Sequence, residues 1–68
     1  MTQAALLIQH IRAAKSQGMT WGEIEALRIS TCPWVRLAES GHRHLRQGER
    51  LGRRTGSDGL VRVLVEIA

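Results

Sequence analysis

Three helical patterns followed by two strand patterns predict an α+β fold, three helices and then a C-terminal β-hairpin. Two periodicities carry that expectation. Apolar residues recur at spacings of three and four over Thr2 to Gln17, and strict alternation runs through Val61 to Ile67. A third observation, the pair Thr20 and Glu23, marks a helix start: the hydroxyl and the carboxylate can each accept the other residue's backbone N–H. The 68 residues are read as one domain over positions 1–68, near the lower size at which a core holds without metals or disulfides. A hydrophobic content of 43% is ordinary for a globular chain, and no linker, repeat or low-complexity tract is visible.

The first helix is drawn from Thr2 to Gln17, with Ala4, Leu7, Ile8, Ile11 and Ala14 as its buried stripe. Thr2 can cap it, Lys15 complements its dipole, and Gly18 can take the left-handed conformation that ends it. His10 borders the stripe and has no partner at metal-binding spacing, so it is read as a surface or half-buried histidine. Met19 can staple the entry to the second helix by packing on Ile24. That helix runs from Thr20 to Leu27, with Trp21, Ile24 and Leu27 inward; so short a helix needs Trp21 as core rather than as a stacking platform. Ile29 plugs the turn that follows.

Ser30 or Thr31 can cap the third helix, and Pro33 suits its first turn, where a missing N–H costs nothing. Two drawings of this helix stay open. In one it continues to about Gln47, with Val35, Ala38 and Leu45 inward together with His42 or Gly41, and Trp34 and Leu37 at the edge of the stripe. In the other it ends at Ser40, because a mid-helix glycine at 41 costs roughly 1 kcal/mol, and a Gly-His-Arg-His loop follows. On the longer drawing Arg36, Ser40, Arg43 and Gln47 share one polar face. The strands are Glu49 to Arg54 and Leu60 to Ile67, around a turn in which Gly56 and Gly59 tolerate positive φ and Asp58 makes a turn hydrogen bond. Leu51 is the main inward residue of the first strand, with Arg50 and Arg53 or Arg54 directed outward.

The net charge of +4 is unevenly placed. Residues 36–54 hold Arg36, Arg43, Arg46, Arg50, Arg53 and Arg54 against Glu39 and Glu49, while the stretches on either side are close to neutral. An isolated arginine is usually a solvated surface charge. Six on adjacent elements make a local field that attracts polyanions, and the planar guanidinium fork suits phosphate oxygens.

The run Thr20-Trp-Gly-Glu-Ile-Glu-Ala-Leu-Arg-Ile-Ser, with Val35 and Leu37 after it and a hairpin to follow, resembles winged helix-turn-helix domains, and is similar to the small single-domain versions that bacteriophages and prophages encode. Such domains often place a very short strand where Met19 stands, and often have glycine where this chain has Arg28. The resemblance implies double-stranded DNA binding by a small transcriptional or phage-related regulator. It carries Arg36, Ser40 and Arg43 over as third-helix contacts and Arg53 and Arg54 as contacts from the wing. The residues themselves add Arg46, Gln47 and Arg50: arginine can bond guanine bidentately, glutamine can bond adenine, and arginines of helix and wing can hold phosphates. High affinity would need a homodimer or a partner protein. The reading from another class is a protein–protein adaptor that meets an acidic partner, with Trp34 as its apolar anchor if exposed. RNA binding is disfavoured by the scarcity of stacking aromatics.

Other chemistries lack their residues. Cys32, His42 and His44 are metal-ligand types without the paired spacings a structural zinc site needs, so no cofactor or metal is expected. No carboxylate pair, nucleophile with an evident base or phosphate-binding glycine loop is present, so an enzyme is not expected. No apolar run approaches the roughly 18 residues of a membrane span, and the start of the chain lacks the features of a secretion signal; a cytoplasmic protein is expected.

Overall fold

A computed structural model describes residues 2–67. The elements are α1 (Gln3–Ala13), β1 (Met19–Thr20), α2 (Trp21–Ala26), α3 (Pro33–Ser40), β2 (Glu49–Thr55) and β3 (Val61–Ile67), with 3-10 turns at Lys15–Gln17 and Gly41–His44. The fold is α+β, three helices on a three-stranded antiparallel sheet of order β1-β3-β2. The two-residue strand β1 joins the expected hairpin as a third strand, pairing Met19 with Val63.

Thr2 caps α1 by accepting the Ala5 N–H at 3.1 Å. Ala4, Leu7, Ile8 and Ile11 are buried as the spacing predicts, and Leu7, Ile8, Ile11, Ile24, Leu37 and Val63 form one apolar cluster. Each fully buried side chain of this size contributes roughly 1.5–3 kcal/mol, so α1 is the main cover of the core. The helix stops earlier than the expected Gln17. Lys15, at φ 55°, turns the chain out of it, and Gly18 ends the following 3-10 turn at φ 68°, ψ −171°. A Cβ at Gly18 would stand 2.7 Å from the Val63 carbonyl oxygen, so glycine is also what lets the chain cross β3 there.

The capping box of α2 is complete: the Glu23 N–H donates to Thr20 Oγ1 at 3.2 Å and the Thr20 N–H to Glu23 Oε1 at 2.9 Å. Those bonds hold the Glu23 carboxyl below its ordinary pKa, the Thr20 backbone N–H contributing most.

Three expectations about α3 and β3 need correction. The N-cap of α3 is Cys32 with no side-chain bond, because Ser30 Oγ turns instead to accept the Cys32 N–H at 3.2 Å. The buried stripe of α3 is Pro33, Leu37 and Gly41, whereas Val35 and Ala38 are exposed and Leu45 is half-buried beyond the helix. Finally, the alternation of Val61, Val63, Val65 and Ile67 is the pattern of a strand with one face on the core, yet β3 is buried on both faces at its centre. Val63 faces the helices, Leu64 is equally buried on the other face, and the Lys15–Gln17 turn lies against the strand. Val61 and Ile67 are exposed at its ends.

Candidate nucleic-acid interface

The shorter drawing of the third helix is the observed one. Ser40 has φ −140° and ψ 0°, values that break helical phase, and its hydroxyl donates to the Arg36 carbonyl at 3.3 Å. A serine bonded back onto the preceding turn bends a helix, and the chain beyond tightens into the Gly41–His44 turn. Arg36 and Ser40 therefore lie on α3, while Arg43 belongs to the 3-10 turn and Arg46 and Gln47 to the connection to β2. The common helical face expected for Arg36, Ser40, Arg43 and Gln47 does not exist past Ser40.

That connection is held from behind by α1. Arg12 donates to both carboxylate oxygens of Glu49, at 2.7 and 3.2 Å, and to the His44 carbonyl at 3.1 Å. Glu49 Oε1 also accepts the Arg46 N–H at 2.7 Å. The Arg12 bond first, and the Arg46 bond second, hold the Glu49 carboxyl below its ordinary pKa, and Arg12 is raised by the same pairing. His44 Nε2 lies 3.2 Å from Thr2 Oγ1, a further tie to the start of α1.

Strand alternation sorts the arginines of β2. Cross-strand partners share a face. Leu51 pairs with Val65 and Arg53 with Val63 on the helix side of the sheet, whereas Arg50 pairs with Glu66 and Arg54 with Arg62 on the far side. Arg50 Nε donates to Glu66 Oε2 at 3.1 Å, and Arg54 Nη1 donates to the Ser16 carbonyl at 3.3 Å. A Cβ at Gly52 would run into the Glu66 carboxylate, so glycine leaves room for that acid to lie across the strand. The turn is held by Asp58, which accepts the Leu60 N–H at 3.0 Å and pairs with Arg62 at 2.7 Å; both bonds, the Leu60 one first, keep its carboxyl below the ordinary value. Gly59 alone of the turn glycines has positive φ.

Three shallow clefts join along α3. The first, about 620 Å3, is lined by Arg28, Ser30, Thr31, Trp34 and Arg36, with Gln3, Glu25 and Ile29. Trp34 is shared with the second, where Trp21, Leu37, Ala38, Leu51 and Val63 meet Arg53. Leu37, Ala38 and Leu51 are shared with the third, which reaches His42, Arg46 and Gln47. The adjoining clefts make a furrow along α3, its first part against α1 and the turn before α3 and the remainder against β2. It gathers Arg36, Arg46, Gln47 and Arg53 of the expected site, together with Arg28; Arg50 borders its end, while its guanidinium is turned to Glu66. Ser40, Arg43 and Arg54 line none of it.

Charge pairing separates these cations further. Arg12, Arg36, Arg50 and Arg62 stand within 4 Å of carboxylates. Among the described residues, Arg28, Arg43, Arg46, Arg53 and Arg54 have no such partner, and Arg54 is instead turned to the Ser16 carbonyl. Arg28 is the residue missed by the sequence reading, since it stands outside the arginine-rich stretch. The only signal for it was its place in the turn between α2 and α3. Cys32 is exposed with a free thiol. Among the described residues, no group of three potential ligands is placed to hold a metal ion, and no helix is long and apolar enough to cross a membrane.

Comparison with protein-family models, with curated proteins and with solved structures finds no match to this chain.

Proposed function

We propose that the chain is a winged helix that binds double-stranded DNA, with α3 as the element presented to the major groove and the β2–β3 hairpin as the wing. The observation that carries this reading is the furrow along α3, which collects carboxylate-free arginines from three separate segments: Arg28 from the turn before α3, Arg46 from the connection after it and Arg53 from β2. A guanidinium with no internal partner gives up only water when it meets a phosphate, so these groups are the cheapest to dock. The eight residues of α3 make a helix about 12 Å long, a size the major groove admits. Arg36 and, from the turn, Arg43 are the candidates for base edges. A single module of this size offers limited contact, so high affinity calls for a second copy or a partner protein. A small regulator of transcription, of the kind phages encode, is the role that fits.

The test is fluorescence anisotropy with a random-sequence duplex over a range of salt. Three phosphate contacts, one for each furrow arginine without a carboxylate partner, give a logarithmic salt slope of about −2.7. Absence of binding at low salt overturns the reading.

The adaptor reading has one observation in its favour: Trp34 is 45% exposed. If Arg36→Ala with Arg43→Ala leaves DNA affinity unchanged while Trp34→Ala abolishes capture of an acidic partner, that reading replaces the first.

A further inference from the structure

We infer that the middle of the furrow is a seat for one unpaired nucleobase, a specificity that rests on the duplex-binding reading and sharpens it. The cleft between α3 and β2 measures about 190 Å3. Pockets for whole small molecules run about 300–1,000 Å3, so this one has room for a single planar ring and not for a cofactor. Its wall is Trp34, on the first turn of α3. The Trp34 ring centroid lies 6.3 Å from that of Trp21, with the planes at 88°, an edge-to-face contact of the kind aromatic pairs favour. Trp21 in turn packs on the core, so the outer indole is held in place before any ligand arrives. Little side-chain freedom is then left to lose on binding.

The floor is apolar, formed by Leu37, Leu51 and Val63, and Arg53 stands at the rim with no carboxylate lining the cleft. An indole beside a free guanidinium is the pairing by which proteins hold single-stranded nucleic acid, the base on the ring and its phosphate on the cation. An aromatic residue of an acidic peptide would also fill the space. The surroundings favour the nucleotide: the adjoining clefts carry Arg28 and Arg36 beside the single acid Glu25 on one side, and Arg46 on the other, where Glu49 is already paired with Arg12, an excess of cation that suits an occupant with an anion before and after the ring. The protein therefore prefers duplexes that carry an extrahelical or unpaired base.

The experiment compares two duplexes that differ only by one extrahelical thymidine, by anisotropy at low salt. Wild type binds the bulged duplex on the order of tenfold more tightly, the span expected of one base stacked on an aromatic side chain. Trp34→Ala brings the ratio of the two affinities to one, and Trp34→Phe keeps most of it, with circular dichroism melts confirming that both variants fold. Equal binding of the two duplexes by wild type overturns the seat and leaves the duplex reading standing. A ratio that survives Trp34→Ala also overturns it. Failure of wild type to bind either duplex removes both.

Discussion

Among the described residues, Arg28 and Lys15 are the two non-glycine residues with positive φ, at 54° and 55°. A side chain in the left-handed region costs roughly 1–2 kcal/mol relative to the right-handed one. Arg28 sits just past α2, where its N–H donates to the Glu25 carbonyl at 3.0 Å, a bond that glycine in its place would keep without the left-handed cost. Arg28→Gly should therefore raise stability by about 0.5–1 kcal/mol, after the extra freedom of glycine in the unfolded chain is subtracted, as read by urea denaturation. The same change should reduce the salt slope of duplex binding by about 0.9, so stability and affinity move in opposite directions. Gly18 is the reverse case: Ala in its place meets both the positive φ and the Val63 carbonyl, and Gly18→Ala should destabilise by more than about 1 kcal/mol in the same assay.

At the level of elements, the start of α1, the capping box of α2 and the hairpin could be read in advance, because caps and turns are marked by residues a few positions apart, whereas the end of α1 at Ala13 was not. The phase of α3 could not. Two turns of helix offer few inward positions, and here they fall on Pro33, Leu37 and Gly41, the last with no side chain to announce itself. Hydrophobicity instead drew attention to Val35 and Ala38, which are exposed. The Arg12–Glu49 pair was equally hidden: 37 residues separate its members, and each looks locally like an ordinary surface charge. It fastens β2 and the Arg46 loop to α1, and its pH dependence has a definite sign. Because the folded carboxyl of Glu49 lies below its ordinary value, the pair's contribution is fully present at neutral pH, above the unfolded value, and is lost as pH falls through the lowered folded value. Glu49→Gln should lower the thermal midpoint at pH 7, and the gap to wild type should narrow on acidification. A gap that stays constant down to pH 3 would show that the ion pair does not stabilise the fold.

For the whole molecule, the excess of arginine in residues 36–54 was plain from the sequence, but its division between two sides was not. Charge counting treats Arg53 and Arg54 alike. The pleat sends Arg53 toward α3 and Arg54 to the opposite face, where it bonds the Ser16 carbonyl, and Arg50 shares that face in a pair with Glu66. A duplex lying along the furrow meets the first and not the others. In side-by-side salt titrations, Arg53→Ala should weaken duplex binding and make the logarithmic slope shallower by about 0.9, while Arg54→Ala should leave the slope as in wild type. Long-range attraction distinguishes the two substitutions little, since each removes one charge from neighbouring positions of the same strand, and any shared loss of association rate measures that common field. Only direct contact separates them. Equal slopes for the two variants would mean that the field of the whole surface holds the DNA and that the furrow has no special part in it.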